Sequence, residues 1–144
     1  MAGADKLYTP ELLALAVALA DYPPDLSLPL HGHARSKSCG STLALDLAVD
    51  WEGRIAALGL QVRACAVGQA SAAIFARDAA GRALDDIATA HAALTEWLAG
   101  SGELPVWPGL ATIAAARAFP ARHGAIMLPW TAARDALSSP DAAR

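Results

Sequence analysis

Residues 42–62, TLALDLAVDWEGRIAALGLQV, determine the fold that this sequence predicts. In residues 42–49, large apolar side chains alternate with small or polar ones, which is the period of a strand with one buried face. The predicted buried face consists of Leu43, Leu45, Leu47 and Val49. Asp-Trp-Glu-Gly at 50–53 predicts a turn, and residues 54–62 return as a second strand. The stretch therefore predicts an antiparallel hairpin.

The segments around this hairpin predict a third strand and several helices. A two-stranded hairpin is marginally stable, so we expect a third strand from the segment before Cys39. Helices are predicted at residues 10–20, 68–79, 84–98, 110–116 and 125–137. The order of a helix, a small antiparallel sheet and then helices predicts an α+β fold, with an approximately three-stranded sheet and helices on one face.

Two helix starts carry specific predictions. Thr9 is the predicted N-cap of the first helix, with Pro10 at its first position. That helix is apolar nearly all round, so we expect it to be largely buried. Asp85 is the predicted N-cap of the helix that ends near Leu98, and Gly81 is predicted as a left-handed C-cap after the helix before it.

Length and composition restrict the class of protein. The 144 residues fit one domain, 1–144, with residues 138–144 as a frayed tail. A net charge of −3 argues against nucleic-acid binding, which usually needs a basic stripe. The apolar run 12–20 is too short to span a membrane. It imitates a signal peptide, but Glu11 beside it favours a helix start. Two cysteines are too few for a disulfide framework, so we expect free thiols in a reducing cytoplasm, although one disulfide is an open alternative.

Both cysteines occupy positions that suit reactive thiols. Cys65 follows the second strand and directly precedes a helix, whose free N–H groups and dipole favour a thiolate, and Arg63 is near. Such a place suits a nucleophile or a metal ligand; the alternative is a small buried apolar residue. Cys39 precedes Gly40 and lies between polar residues, and Lys37 could stabilise its thiolate; the alternative is an incidental loop cysteine.

Strand geometry predicts that the two thiols share one site. Cys39 precedes the first hairpin strand and Cys65 follows the second, and these two ends meet at one edge of an antiparallel pair. His123 precedes the last helix, and its imidazole suits zinc or iron, the alternative being a solvated loop histidine. His31 and His33 are only weak indications of a metal site. Phosphate loops, zinc-protease patterns and nucleophile elbows do not occur in the sequence.

Three segments resemble the ligand loops of a known family. The first is Cys39-Gly40-Ser41, where the family has Cys-Gly-Asp before a strand. The second is ACAVGQASA at 64–72, which is similar to Gly-Cys-Ala-Ile-Ser-x-Ala-Ser-Ala at a helix start. The third is PARHGAI at 120–126, which is similar to Pro-x-Arg-x-x-Cys-Ala, and LPW at 128–130 matches the Leu-x-Trp that follows. By these motifs the chain resembles the NifU/IscU/SufU-like iron–sulfur cluster scaffolds over nearly its whole length.

The resemblance implies a fold and a function. It implies the U-type scaffold fold, as a single NifU N-terminal-like domain, and a non-enzymatic scaffold that binds a labile iron–sulfur cluster or a metal ion, or accepts sulfur, through Cys39 and Cys65. The family's motif Asp and third ligand Cys are replaced by Ser41 and Ala125, so His123 enters as an auxiliary metal ligand. A cluster or a tetrahedral zinc takes four ligands, which an exogenous ligand or a homodimer sharing one cluster would supply.

The resemblance also implies partners and leaves other functions open. The implied partners are a cysteine desulfurase and iron–sulfur client or carrier proteins, with no nucleic acid and no membrane. One alternative function is a metal-free adaptor or regulator of the assembly machinery. Another is a small zinc-binding or sulfur-transfer protein.

Overall fold

A three-stranded antiparallel sheet forms the centre of the computed structural model, which describes residues 7–38 and 40–139. The strands are β1 (Leu30–Arg35), β2 (Thr42–Val49) and β3 (Ile55–Arg63), and β2 is the middle strand. The hairpin and the third strand before Cys39 are confirmed. The register places Thr42 opposite both Arg35 and Arg63. The loop before β2 and the loop after β3 therefore begin at the same end of the sheet.

Helices cover one face of this sheet, as the sequence predicts for an α+β fold. They are α1 (Pro10–Ala18), α2 (Ala66–Asp78), α3 (Leu84–Leu98) and α4 (His123–Leu137), with a 3₁₀ segment at Leu110–Ala118. Helix α4 packs on β1 and β2, and α2 packs between α1 and α4. The approach of α4 to β1 is very close, because a Cβ atom at Gly32 would overlap the carbonyl oxygen of Ala132.

The core is built from the leucines of β2 and an aromatic cluster. Leu43, Leu45 and Leu47 are buried, as the alternation predicts. Phe75, Trp107 and Trp130 are also buried, with ring centroids 5.3 to 5.5 Å apart in one stacked and two edge-to-face pairs. The Nε1–H of Trp107 donates a hydrogen bond to the carbonyl of Ile74, so the polar group of this buried indole has a hydrogen-bond partner.

The start of α1 is as predicted, but its burial is not. The Thr9 hydroxyl accepts a hydrogen bond from the N–H of Leu12, which confirms the N-cap, and a 3₁₀ turn at Leu19–Asp21 follows the helix. Only Leu12 and Leu15 are buried, whereas Val17 is 76% exposed. The prediction of a largely buried α1 is therefore wrong, because the helix contacts the rest of the chain along one side only.

Two other predicted boundaries shift. Helix α3 has Ala83 as its N-cap, and the Asp86 side chain accepts a hydrogen bond from the N–H of Ala83, so the prediction of Asp85 as N-cap is wrong. Helix α4 begins at His123, because a 3₁₀ turn at Pro120–Arg122 leads directly into it.

Of the predicted frayed tail, residues 140–144 lie outside the described residues. Within the described ranges, no helix combines the length and hydrophobicity that a membrane crossing needs.

Candidate functional site

The candidate site lies at the sheet edge where β2 begins and β3 ends. Thr42 pairs with Arg63, so the loop before β2 and the loop after β3 leave the sheet side by side. This is the geometry that the sequence predicts for bringing two thiols together. Cys39 itself lies outside the described residues, so its distance from Cys65 stays a prediction.

Cys65 is the N-cap residue of α2 and carries a free, half-buried thiol. Its backbone is extended, with φ −65° and ψ 172°, so the chain turns from β3 into the helix at this residue. The side chain of Gln69 donates a hydrogen bond of 3.0 Å to the carbonyl of Ala64, which ties the loop to the first turn of α2. The thiol is thereby held at the N-terminal end of a 13-residue helix, where the partial charge of the helix dipole is positive.

Two backbone hydrogen bonds close the loop before β2 on itself. The N–H of Ser36 donates to the carbonyl of Ser41 at 2.8 Å, and the N–H of Gly40 donates to the carbonyl of Ser36 at 2.9 Å. Gly40 has a φ of +70°, a conformation that glycine adopts without strain. Ser36 and Ser41 are both buried, so this loop is fixed against the protein.

The start of α4 contacts both of these loops. A Cβ atom at Gly124 would overlap the Oγ atom of Ser36, which places the loop before β2 directly against α4. A Cβ atom at Gly68 would lie 3.2 Å from the Cβ of Ala125, which places the start of α2 against the same helical turn. The start of α4 therefore contacts both the loop before β2 and the start of α2, and Ala125 is fully buried there.

His123 is the first residue of α4, not a residue of a loop before it. Its Nε2 donates a hydrogen bond of 2.7 Å to the carbonyl of Arg117. The half-buried ring lines a groove with the C-terminal end of α3 and the 3₁₀ segment. Only Nδ1 is left to bind a metal, and the auxiliary ligand role stays a prediction.

The side chains of His31 and His91 have partners away from the candidate site. The Nδ1 of His31 forms a 2.7 Å contact with the buried carboxylate of Asp46. The Nε2 of His91 contacts the Thr131 hydroxyl. In the described parts of the chain, no group of three His, Cys, Asp or Glu side chains is placed to hold a metal ion. Cys65 is therefore the single strong donor that the structure places at the site, and Cys39 would be the second.

Several residues that build the site were not predicted from the sequence. Ser36 and Gly124 form the contact between the loop before β2 and α4, and Gln69 ties the loop after β3 to α2; none of the three is a candidate ligand. The sequence does contain an indication for Gly124, because a glycine in the first turn of a helix suggests a close approach by another segment. The contact of Ser36 is non-local and leaves no local pattern.

The comparisons with known proteins agree with this geometry. The chain superimposes with a TM-score of 0.86 on the N-terminal part of a nitrogen-fixing NifU-like protein from Brucella abortus, at 26% identity over 94% of this chain and 95% of that one. It superimposes with a TM-score of 0.80 on an iron–sulfur cluster assembly scaffold protein for the SUF system from Fervidobacterium islandicum AW-1, at 17% identity over 91% of this chain and 96% of that one.

Neither known family models nor curated proteins give a match by sequence. The fold is nevertheless shared over almost the entire length, and the start of α4 packs against the loop before β2 and the start of α2. The departures at Ser41 and Ala125 fall within the motif segments. The chain therefore shares the fold of the NifU/IscU/SufU-like scaffolds and is similar to them, with departures at two motif positions.

Proposed function

We propose that this protein is a non-enzymatic, cytoplasmic scaffold-like protein of iron–sulfur cluster assembly. The observation that carries the proposal is the packing of the start of α4 against both the loop before β2 and the start of α2, where Cys65 is the N-cap. The Fervidobacterium relative, described as an assembly scaffold, supports the same general role. The cluster or metal ion is the cargo of such a protein.

In this proposal, Cys39 and Cys65 are the residues that act. Their thiolates bind a labile cluster or a metal ion, or they accept sulfur. For sulfur transfer, the Cys65 thiolate attacks the outer sulfur of a persulfide on a cysteine desulfurase. The new S–S bond forms on Cys65 while the bond to the donor cysteine breaks and that cysteine leaves as a thiolate, so no external oxidant is needed.

The coordination shell needs donors beyond these two thiols. A [2Fe–2S] cluster takes four ligands, and Ala125 offers none, while the Ser41 hydroxyl is a poor donor unless deprotonated. The remaining ligands would come from His123 through Nδ1, from an exogenous small molecule, or from the two thiols of a second copy of the chain.

A second candidate is a metal-free adaptor of the assembly machinery, working with the desulfurase and with client or carrier proteins. It is favoured by the packing of Ala125, which is fully buried against the start of α2 where the family carries its third ligand. An apolar side chain that completes the packing there preserves the fold without preserving the donor.

Anaerobic reconstitution with iron and sulfide separates these two functions. We expect wild-type protein to retain iron and sulfide and to show the visible absorption of a cluster, and Cys39→Ser and Cys65→Ser each to lose it. Ala125→Cys should retain more metal than wild type, because it restores a donor beside Cys65. The enlarged side chain fills a packed place and should cost about 1–3 kcal/mol of stability.

The outcomes are distinct. A colourless wild-type product without stoichiometric iron or zinc contradicts the scaffold proposal, and binding of a desulfurase by that metal-free protein would support the adaptor. Metal retained by the Cys39→Ser, Cys65→Ser double variant would show that the ligands lie elsewhere. Ser71→Ala serves as a control, since its buried hydroxyl donates to the Ile126 carbonyl and offers no thiol.

A further inference from the structure

The face of the sheet opposite the helices presents two rows of polar side chains next to the thiol site. Arg35, Thr42 and Arg63 lie side by side across β1, β2 and β3. His33, Ala44 and Gln61 form the next row. Because side chains alternate along a strand, both rows point away from the core leucines Leu43 and Leu45.

These rows line a groove of about 430 Å³. The middle strand contributes the small side chains of Thr42 and Ala44, while the outer strands contribute longer ones, so the groove runs along β2. Its volume falls within the range of small-molecule sites. None of the side chains that line it is acidic.

The two arginines of the groove have no anionic partner among the described residues. Within residues 7–38 and 40–139, Arg35 and Arg63 form neither a salt bridge nor a side-chain hydrogen bond, and both are exposed. The nearby carboxylates are engaged: Asp46 accepts from His31 and from the N–H of Asp25, and Asp135 accepts from the backbone N–H of His33. The thiol end of the groove is therefore positively charged.

We propose that this groove binds the carboxylate of a small organic acid and holds it beside Cys65. The α-carbons of Arg35 and Arg63 are two strand spacings, about 10 Å, apart, so their guanidinium groups can reach one anion above Thr42. Planar guanidinium forks match a carboxylate in two-point contact, and the Thr42 hydroxyl adds a donor. Cys65 follows Arg63 by two residues, so its α-carbon lies within about 7 Å of the α-carbon of Arg63, and the loop that carries the thiol begins at the end of the groove. This assignment goes beyond the scaffold function and requires no metal.

Alkylation of Cys65 in metal-free protein tests the groove directly, in a Cys39→Ser background so that one thiol reacts. Iodoacetate and iodoacetamide both alkylate a thiol at the carbon that carries the iodine. Iodoacetate has a carboxylate where iodoacetamide has a neutral amide. We expect the rate ratio of iodoacetate to iodoacetamide to exceed that of N-acetylcysteine by about tenfold, because the groove concentrates the anion. Malonate should compete with iodoacetate and leave iodoacetamide unaffected.

Matched variants identify the cause. Arg35→Gln and Arg63→Gln should each lower the ratio toward that of the free thiol. Arg77→Gln removes the same charge from the exposed last turn of α2 and should leave the ratio unchanged. Arg35→Lys keeps the charge without the fork and should lower the ratio in part.

The proposal is overturned if the rate ratio of iodoacetate to iodoacetamide at Cys65 equals that of the free thiol. It is also overturned if Arg77→Gln lowers the ratio as much as Arg35→Gln and Arg63→Gln do. Stronger competition by inorganic phosphate than by malonate overturns the assignment to a carboxylate. If Cys65 reacts with neither reagent, malonate binding is measured by calorimetric titration instead. The proposal is overturned if wild-type protein does not bind malonate, or if it binds malonate as well after Arg35 and Arg63 are replaced. None of these readouts depends on metal, so the scaffold proposal stands or falls separately.

Discussion

The chemistry of the site is decided by single residues around Cys65. As N-cap of α2, this cysteine makes no side-chain hydrogen bond to the helix, unlike Thr9 at the start of α1. The N–H groups of the first turn of α2 are therefore not capped by a side chain, and their partial charge acts on the thiol sulfur. Serine or threonine at position 65 would cap the helix better, so the cysteine is better explained by chemistry than by stability.

His91 makes the stability of the protein sensitive to acid. Burial and, to a smaller extent, the positive charge of Arg134 lower the pKa of His91 from its usual 6.5. The Arg134 guanidinium donates to Nδ1, so the neutral ring donates from Nε2 to the Thr131 hydroxyl. The unfolded chain therefore binds a proton at higher pH than the folded chain, and the free energy of unfolding falls as the pH drops below about 6.5.

Substitution of this residue by glutamine tests that effect. The amide of His91→Gln can contact both neighbours without titrating, so its free energy of unfolding should depend less on pH between about 7.5 and 5.5. Urea unfolding of both proteins at several pH values gives the comparison. Parallel pH profiles for the two would show that His91 does not contribute.

The helices and strands meet through glycine contacts that hold the site together. Gly124→Ala would improve the helix propensity of α4 by up to about 1 kcal/mol. The new Cβ, however, would overlap Ser36 Oγ, and Ser36 is only 3% exposed and cannot move aside freely. We expect the overlap to dominate and to reduce the free energy of unfolding by about 1–3 kcal/mol. Thermal and urea denaturation measure the change.

A double variant identifies the contact responsible. Ser36→Ala removes the Oγ atom that a Cβ at position 124 would meet, so Ser36→Ala with Gly124→Ala should recover part of the stability lost in Gly124→Ala. If the change in the free energy of unfolding in the double variant equals the sum of the changes in the two single variants, the two residues are not coupled.

Local patterns were sufficient for most elements of this fold. The alternation of residues 42–49 predicts β2 and its buried face, and Thr9 with Pro10 predicts the start of α1. The burial of α1 could not be predicted, because an alanine-rich helix looks apolar whichever side faces the protein. The start of α3 was misplaced because two adjacent acidic residues, Asp85 and Asp86, compete for the capping role.

The site was predicted in outline and not in its contacts. Antiparallel pairing brings the start of β2 and the end of β3 together by geometry alone, and the register of Thr42 with Arg63 agrees. The position of α4 against both loops depends on Gly124 and Ala125, through contacts far apart in sequence. Such contacts depend on the packing of the whole chain, which a local motif does not record.

Charge is distributed unevenly over the whole molecule. Arg35, Lys37 and Arg63 lie at or next to the end of the sheet from which the chain continues to Cys65, whereas Asp50 and Glu52 lie in the turn at the opposite end of the hairpin. The thiol end is therefore positive although the net charge of the chain is −3. Two copies that meet through their thiol ends would repel each other unless an anion lay between them.

A cluster shared by two copies would supply that anion. A [2Fe–2S] centre with four thiolate ligands carries a net negative charge, and two chains provide exactly the number of cysteines it needs if Cys39 and Cys65 both bind. We therefore expect anaerobic reconstitution to produce a species of twice the mass of the 14.7 kDa chain, and removal of the iron by a chelator to reverse it. Light scattering coupled to size exclusion measures the mass, and iron and sulfide analysis across the peak should give one iron and one sulfide per chain. Arg35→Gln should strengthen the iron-free association, because it lowers the repulsion between the two positive ends. A loaded species with the mass of one chain and two irons would contradict the shared cluster, and it would assign the missing ligands to His123 or to an exogenous molecule.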